Sequence, residues 1–146
     1  MKPLYIGIDT GRETGLAVWD PDLGQFTELR TLGAYAAMKE VLSVRREANG
    51  AGRGIVLVFE DARLRKWIPR ERSVREMKGR AMGAGSVKRD GSIWEEFCQV
   101  EEIPYFNQGP RAGMTKWSEQ FFKAITGWQG RSSKHSRDAA VLVFQL

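Results

Sequence analysis

Near its start the chain reads Leu4-Tyr5-Ile6-Gly7-Ile8-Asp9-Thr10-Gly11, an apolar run that ends at a carboxylate and then breaks at glycine. A run this short and this hydrophobic is typical of a strand buried on both faces. Asp9 then stands at the end of that strand, where an open sheet presents its chemistry to solvent. A second run, Ile55-Val56-Leu57-Val58-Phe59-Glu60, also ends in a carboxylate. Either run alone is most simply a strand that ends in a polar turn, and the repetition of the pattern favours a functional role.

The first sixty residues predict part of a mixed sheet. Turns rich in glycine and proline separate three short strands, which are most simply joined as an antiparallel meander. A helix over 34–48 then leads into the buried strand at 55–60. A helical crossover between two buried strands indicates that they lie parallel. The strands of the meander are predicted at 4–9, 16–19 and 26–31.

The second half of the chain adds helices and one short strand. A helix is predicted between Val74 and Cys98, against the tendency of four glycines in that stretch. Residues 102–106 are predicted to form a last strand, and Pro104 predicts a position at a sheet edge or a strand end. The predicted fold class is therefore α/β: a mixed five-stranded sheet, with an antiparallel meander followed by parallel strands, flanked by helices. Two further helices are predicted from their caps, one capped by Thr115 and ended by Gly127, and one capped by Ser133 that runs from Lys134 to about Phe144.

Length and composition limit the number of domains, the kind of partner and the kinds of site that the chain can have. The 146 residues have room for one core, so we expect a single domain over 1–146. The net charge of +5 and a sequence pI near 9.6 favour a polyanionic partner. A lone cysteine, Cys98, excludes an internal disulfide, and with a single histidine it cannot build a zinc site. Because no apolar run suits a membrane span or a secretory signal, we expect a cytoplasmic protein with no membrane partner.

The last predicted helix carries His135 and Asp138 three residues apart, on one face. Small residues follow them, so this helix can lie close to the sheet and bring both side chains to Asp9 and Glu60. Carboxylates gathered in this way repel one another, and Mg²⁺ or Mn²⁺ would relieve that repulsion. Two such ions, roughly 4 Å apart, would stabilise both the attacking and the leaving oxygens of a phosphodiester displacement. Asp61 competes with Glu60 for this role, but strand alternation points it to the opposite face.

A strongly basic stretch runs from Arg63 to Arg89. A solvated charged face is the usual explanation of such a run. Here it follows directly after a proposed catalytic acid, which favours contact with phosphates. The glycines around Gly83–Lys88 lack a full phosphate-loop pattern and are interpreted as packing residues. The predicted nucleic-acid-binding residues are Arg63, Arg65, Lys66, Trp67, Arg70, Arg72, Arg75, Lys78, Arg80, Lys88 and Arg131.

Three stretches together resemble the RuvC family of Holliday-junction resolvases. The segment Ile6-Gly7-Ile8-Asp9-x-Gly11-x-x-Thr14-Gly15 is similar to the first motif of that family, which other RNase H-like proteins and actin-like ATPases share. Val58-Phe59-Glu60 lies where the family has its second acid. The pattern from Ile125 to Arg131, followed by His135-Ser136-Arg137-Asp138-Ala139, is similar to its third and fourth site positions. An actin-like ATPase is disfavoured because the chain is too short for two lobes.

The resemblance implies an RNase H-like fold and a homodimer with two sites. Each site would nick one strand of branched DNA, a four-way junction, with Mg²⁺ or Mn²⁺. The short length and divergent middle suit a phage or prophage member, acting in the host cytoplasm. Where family members carry an aromatic residue after the second acid this chain has Arg63, which leaves Trp67 as a candidate junction wedge. Two alternatives stay open: a non-catalytic nucleic-acid-binding module on the same fold, and an RNase H-like RNA nuclease. By this resemblance Asp9, Glu60, His135 and Asp138 are the metal site, and Lys116 lies near the scissile phosphate.

Overall fold

Five strands form one mixed sheet in the computed structural model of the chain, which describes residues 1–64, 74–110 and 116–146, without the side chains of 74–84 and 87. The strand order is β3-β2-β1-β4-β5. Strand β2 runs antiparallel to both β1 and β3, whereas β4 runs parallel to β1 and to β5. This arrangement confirms the predicted fold class, a mixed five-stranded sheet in which an antiparallel meander is followed by parallel strands. The strands are β1 (Leu4–Asp9), β2 (Glu13–Asp20), β3 (Gln25–Gly33), β4 (Ile55–Glu60) and β5 (Tyr105–Gln108).

Helices cover both faces of the sheet. Ile6 and Ile8 of β1 point to the face where α1 and α2 pack, in a core that includes Trp94 and Cys98 of α2. Helix α4 packs on the other face, where Ala139 and Val143 are fully buried among aromatic side chains. None of the described helices has the length and apolar character needed to span a membrane. The helices are α1 (Ala34–Gly50), α2 (Val74–Val100), α3 (Glu119–Thr126) and α4 (Lys134–Val143).

Helix α4 approaches the sheet unusually closely because two strands carry glycine beneath it. A β-carbon at Gly7 of β1 would overlap the carbonyl oxygen of Ala139, and one at Gly15 of β2 would overlap the carbonyl oxygen of His135. The backbone of α4 therefore lies directly on β1 and β2. This contact brings the first turn of α4 to the end of β1, where Asp9 stands.

Three predicted element starts were wrong. Strand β2 begins at Glu13 rather than at residue 16, so Glu13, Thr14 and Gly15 belong to the strand and not to the turn before it. Helix α3 begins after Ser118, whose hydroxyl accepts a hydrogen bond from the backbone N–H of Phe121, while the predicted cap Thr115 lies outside the described residues. Strand β5 begins at Tyr105 rather than at residue 102, because Glu102 has a positive φ of 54° that ends helix α2 in a turn. The edge position predicted for β5 is confirmed.

Several caps and ends are as predicted. Gly127 ends α3 in the left-handed conformation, with φ 73°. Ser133 caps α4, and its side chain and that of Ser136 bond each other's backbone N–H groups. The end of helix α1 differs from the prediction, because the helix continues to Gly50, two residues further. The long helix α2 includes its glycines without a described break.

Candidate active site

The site forms where β1 ends against the first turn of α4. The carboxylate oxygen Oδ2 of Asp9 lies 3.0 Å from Nδ1 of His135. The two residues are 126 positions apart in the chain, and the glycine contact beneath α4 is what joins them. The structure thus brings together two of the four residues predicted to bind metal.

The surroundings of Asp9 disfavour the ionised form of its carboxyl group. Its side chain is 27% exposed. Burial raises the pKa of this carboxyl and the charge of Asp138 raises it further, while the hydrogen bond shared with His135 and the charge of Lys116 act in the opposite direction. Asp138 therefore lies close enough to Asp9 for the two carboxylates to repel each other, as the sequence predicted.

Lys116 supplies the positive charge of the site. Its ammonium donates a hydrogen bond of 2.9 Å to Oδ2 of Asp138. That bond raises the pKa of Lys116, and the charges of Asp9 and Glu60 raise it further. Three carboxylates from separate elements are therefore within electrostatic reach of one ammonium group.

Glu60 and Asp61 lie on opposite faces of the sheet. Glu60 borders a small surface pocket with Val141 and Leu142, on the face that carries α4. Asp61 is fully buried on the other face, and its pKa is lowered chiefly by hydrogen bonds from Arg63. Asp61 is thus a structural carboxylate, whereas Glu60 faces the side where Asp9 and Asp138 lie.

RuvC of Thermus thermophilus has a similar structure. The two chains are 15% identical, the match covers 97% of this chain and 92% of the RuvC chain, and the TM-score is 0.49. No family model matches the chain, and no curated protein matches its sequence. At this identity the similarity to RuvC concerns the course of the backbone and assigns no role to any residue.

The residue types at the site fit a divalent cation. Oxygen and imidazole ligands suit Mn²⁺, and oxygen ligands suit Mg²⁺. The 3.0 Å separation of Asp9 Oδ2 and His135 Nδ1 is the length of an ordinary N–H···O hydrogen bond. It also matches the spacing of neighbouring ligands that lie about 2.1 Å from an octahedral ion, which are about 3.0 Å apart. Among the described residues no three Asp, Glu, His or Cys side chains converge closely enough to enclose an ion. A third carboxylate would have to join this pair, and Asp138 is now bonded to Lys116.

Arg63 was predicted to bind nucleic acid, but its guanidinium is engaged within the chain. It donates to both carboxylate oxygens of Asp61, the shortest of these bonds being 2.6 Å, and to Glu95 at 3.2 Å. These partners raise the pKa of Arg63 above its usual range. Lys88 and Arg131 are exposed, as a role in binding requires. Outside the described residues or side chains lie Arg65, Lys66, Trp67, Arg70, Arg72, Arg75, Lys78 and Arg80.

Glu13 is a site residue that the sequence analysis missed. Its Oε2 lies 3.2 Å from Nε2 of His135, on the opposite side of the ring from Asp9. Glu13 is the first residue of β2, and its contact depends on how α4 crosses that strand. Nothing in the local sequence marks it, because an exposed glutamate at a strand start is common.

Proposed function

We propose that the chain is a divalent-metal-dependent endonuclease that cuts branched DNA, with four-way junctions as its main substrate. The observation that carries this proposal is the 3.0 Å pair of Asp9 and His135 at the end of the central strand. The pair has the spacing of two neighbouring metal ligands. Glu60 on β4 and Asp138 on α4 supply further carboxylates on the same face of the sheet.

Asp9, Glu60, His135 and Asp138 are the residues that would hold Mg²⁺ or Mn²⁺, in one or two ions per site. When bound, the metal supplies an activated water and neutralises charge on the leaving oxygen. Asp9 is oriented by His135, and Asp138 orients Lys116. The Lys116 side chain is 68% exposed, so its ammonium can donate to a phosphate oxygen and stabilise the charge that develops there.

The choice of DNA as substrate rests on charge and on the motif resemblance. The chain carries an excess of five positive charges, and exposed cations such as Lys88 and Arg131 are available to phosphates. The preference for junctions, and a homodimer that presents two sites, follow from the resemblance of the Asp9, Glu60 and His135–Asp138 motifs to those of the RuvC family.

The test is cleavage of a substrate panel: a synthetic four-way junction, a fork, a flap, a linear duplex and an RNA–DNA hybrid, each with Mg²⁺ or Mn²⁺. We expect the junction to be cut fastest, and Asp9→Asn to abolish cleavage while junction binding persists. Asp22→Asn is the matched control, because its carboxylate contacts Lys2 and Arg53 instead of the site. Preferred cleavage of the hybrid would assign an RNA nuclease, and tight junction binding with no cleavage would assign a binding module. Either result overturns the proposal.

A further inference from the structure

We infer that Glu13 is a positioning residue for His135, and that it holds the ring so that Nδ1 is presented to Asp9 as a metal ligand. This inference rests on the proposed function, since it concerns the same metal site. The ring lies between two carboxylates, with Nε2 3.2 Å from Glu13 and Nδ1 3.0 Å from Asp9. Each ring nitrogen therefore has a carboxylate oxygen within 3.2 Å.

The chemistry of imidazole explains why Glu13 matters. A neutral ring has one N–H donor and one acceptor nitrogen. When Nε2 donates to Glu13, Nδ1 offers a lone pair toward the carboxylate of Asp9. Two acceptors 3.0 Å apart repel each other unless a proton or a cation lies between them. The contact with Glu13 thus prepares Nδ1 and Asp9 to share a cation.

Strand β2 fixes both the backbone and the ring of His135. Gly15 admits the His135 carbonyl against the strand, and Glu13, two residues earlier, reaches the ring. Thr14 between them is fully buried, and its hydroxyl donates a 2.9 Å hydrogen bond to the carbonyl of Gly11. The turn from β1 to β2 is therefore anchored, and the position from which the Glu13 side chain extends is set by this turn.

Histidines that bind metal generally donate their second ring N–H to a carboxylate or carbonyl, and loss of that partner typically weakens metal affinity about 10- to 100-fold. The Glu13 side chain is 74% exposed, and solvent weakens contacts of this kind. We therefore expect loss of Glu13 to weaken metal affinity roughly tenfold, at the lower end of that range.

The experiment uses the fact that His135 is the only histidine in the chain. Its Hε1 proton gives one resonance, and paramagnetic Mn²⁺ broadens that resonance when it binds beside the ring. The quantity compared is the Mn²⁺ concentration at which the Hε1 resonance has lost half of its intensity. In Glu13→Ala we expect this concentration to be roughly tenfold higher than in the unaltered protein. Glu13→Gln keeps a carbonyl acceptor for Nε2 and should stay within about threefold of it. Glu119→Ala is the matched control, since that exposed glutamate contacts Lys123 on α3.

The outcomes separate this inference from the proposed function. If the resonance of the unaltered protein broadens and that of Glu13→Ala depends on the Mn²⁺ concentration in the same way, the positioning role is overturned while the metal site stands. If Glu13→Ala and Glu119→Ala weaken the response equally, the effect is a general loss of negative charge and the inference is also overturned. If the resonance of the unaltered protein does not broaden at all, both the metal site and the role of Glu13 fail.

Discussion

The ammonium of Lys116 lies 2.9 Å from the carboxylate of Asp138, and Asp9 and Glu60 interact with the same positive charge. A lysine therefore partly neutralises the group of carboxylates from which the metal site would be built. On the proposed function, a divalent cation would compete with Lys116 for the same anions. We would then expect Lys116 to exchange Asp138 for the substrate phosphate when the cation binds.

Replacing Lys116 tests this competition. In Lys116→Met we expect divalent metal to bind severalfold more tightly, because Asp138 loses its ammonium partner. Because the group that stabilises charge at the phosphate is missing, we expect the single-turnover cleavage rate to fall by about 10²- to 10³-fold. Calorimetric titration with Mn²⁺ and single-turnover cleavage measure the two effects. Lys123→Met, which removes a lysine paired with Glu119 on α3, is the control. Weaker metal binding in Lys116→Met would contradict the competition.

The ionised carboxylate of Asp9 should destabilise the folded protein, and replacing Asp9 with a neutral residue should increase the free energy of unfolding. The pKa of Asp9 is raised mainly by burial, so the folded protein prefers the protonated carboxyl. The stability linked to that proton is present below the ordinary pKa of 3.8 and is lost as pH rises through the raised value. In chelator, Asp9→Asn should therefore unfold at a higher temperature than the unaltered protein at pH 7. The difference should shrink toward pH 4. Asp22→Asn is the control. If Asp9→Asn and the unaltered protein are equally stable at both pH values, this expectation is refuted.

Gly15 is expected to be essential to the geometry of the site. Gly15→Ala would drive a β-carbon into the carbonyl of His135, so α4 must move away from β2. We expect a loss of about 1–3 kcal/mol in the free energy of unfolding, measured by urea denaturation, and a larger proportional loss of junction cleavage. Gly33→Ala is the matched control, because a β-carbon there meets open space. Similar behaviour of the two variants would mean that the close approach of α4 does not maintain the site.

The fold and part of the site could be predicted because they follow from local patterns. Asp9 and Glu60 each end an apolar run, and Ser133 marks the start of α4. The contacts of Glu13 could not be predicted, because they depend on the register at which α4 crosses β2. Arg63 appeared in the sequence as one cation within a basic run. Its pairing with buried Asp61 also involves Glu95 on α2 and Asn107 on β5, and no local pattern connects those segments.

Arg63 and Lys88 should therefore respond differently to the same substitution. Arg63→Ala leaves Asp61 buried without its guanidinium partner, so we expect a loss of about 3–5 kcal/mol in the free energy of unfolding. Lys88→Ala removes an exposed cation and should leave stability unchanged. If Lys88 contacts a phosphate, its loss should lower the slope of log affinity against log salt by about 1. Urea denaturation and junction binding between about 50 and 200 mM salt separate the two roles. If Arg63→Ala leaves stability unchanged but lowers the slope of log affinity against log salt, Arg63 is part of the DNA-binding surface. Binding of the unaltered protein that hardly changes over this range would exclude a phosphate-contacting surface.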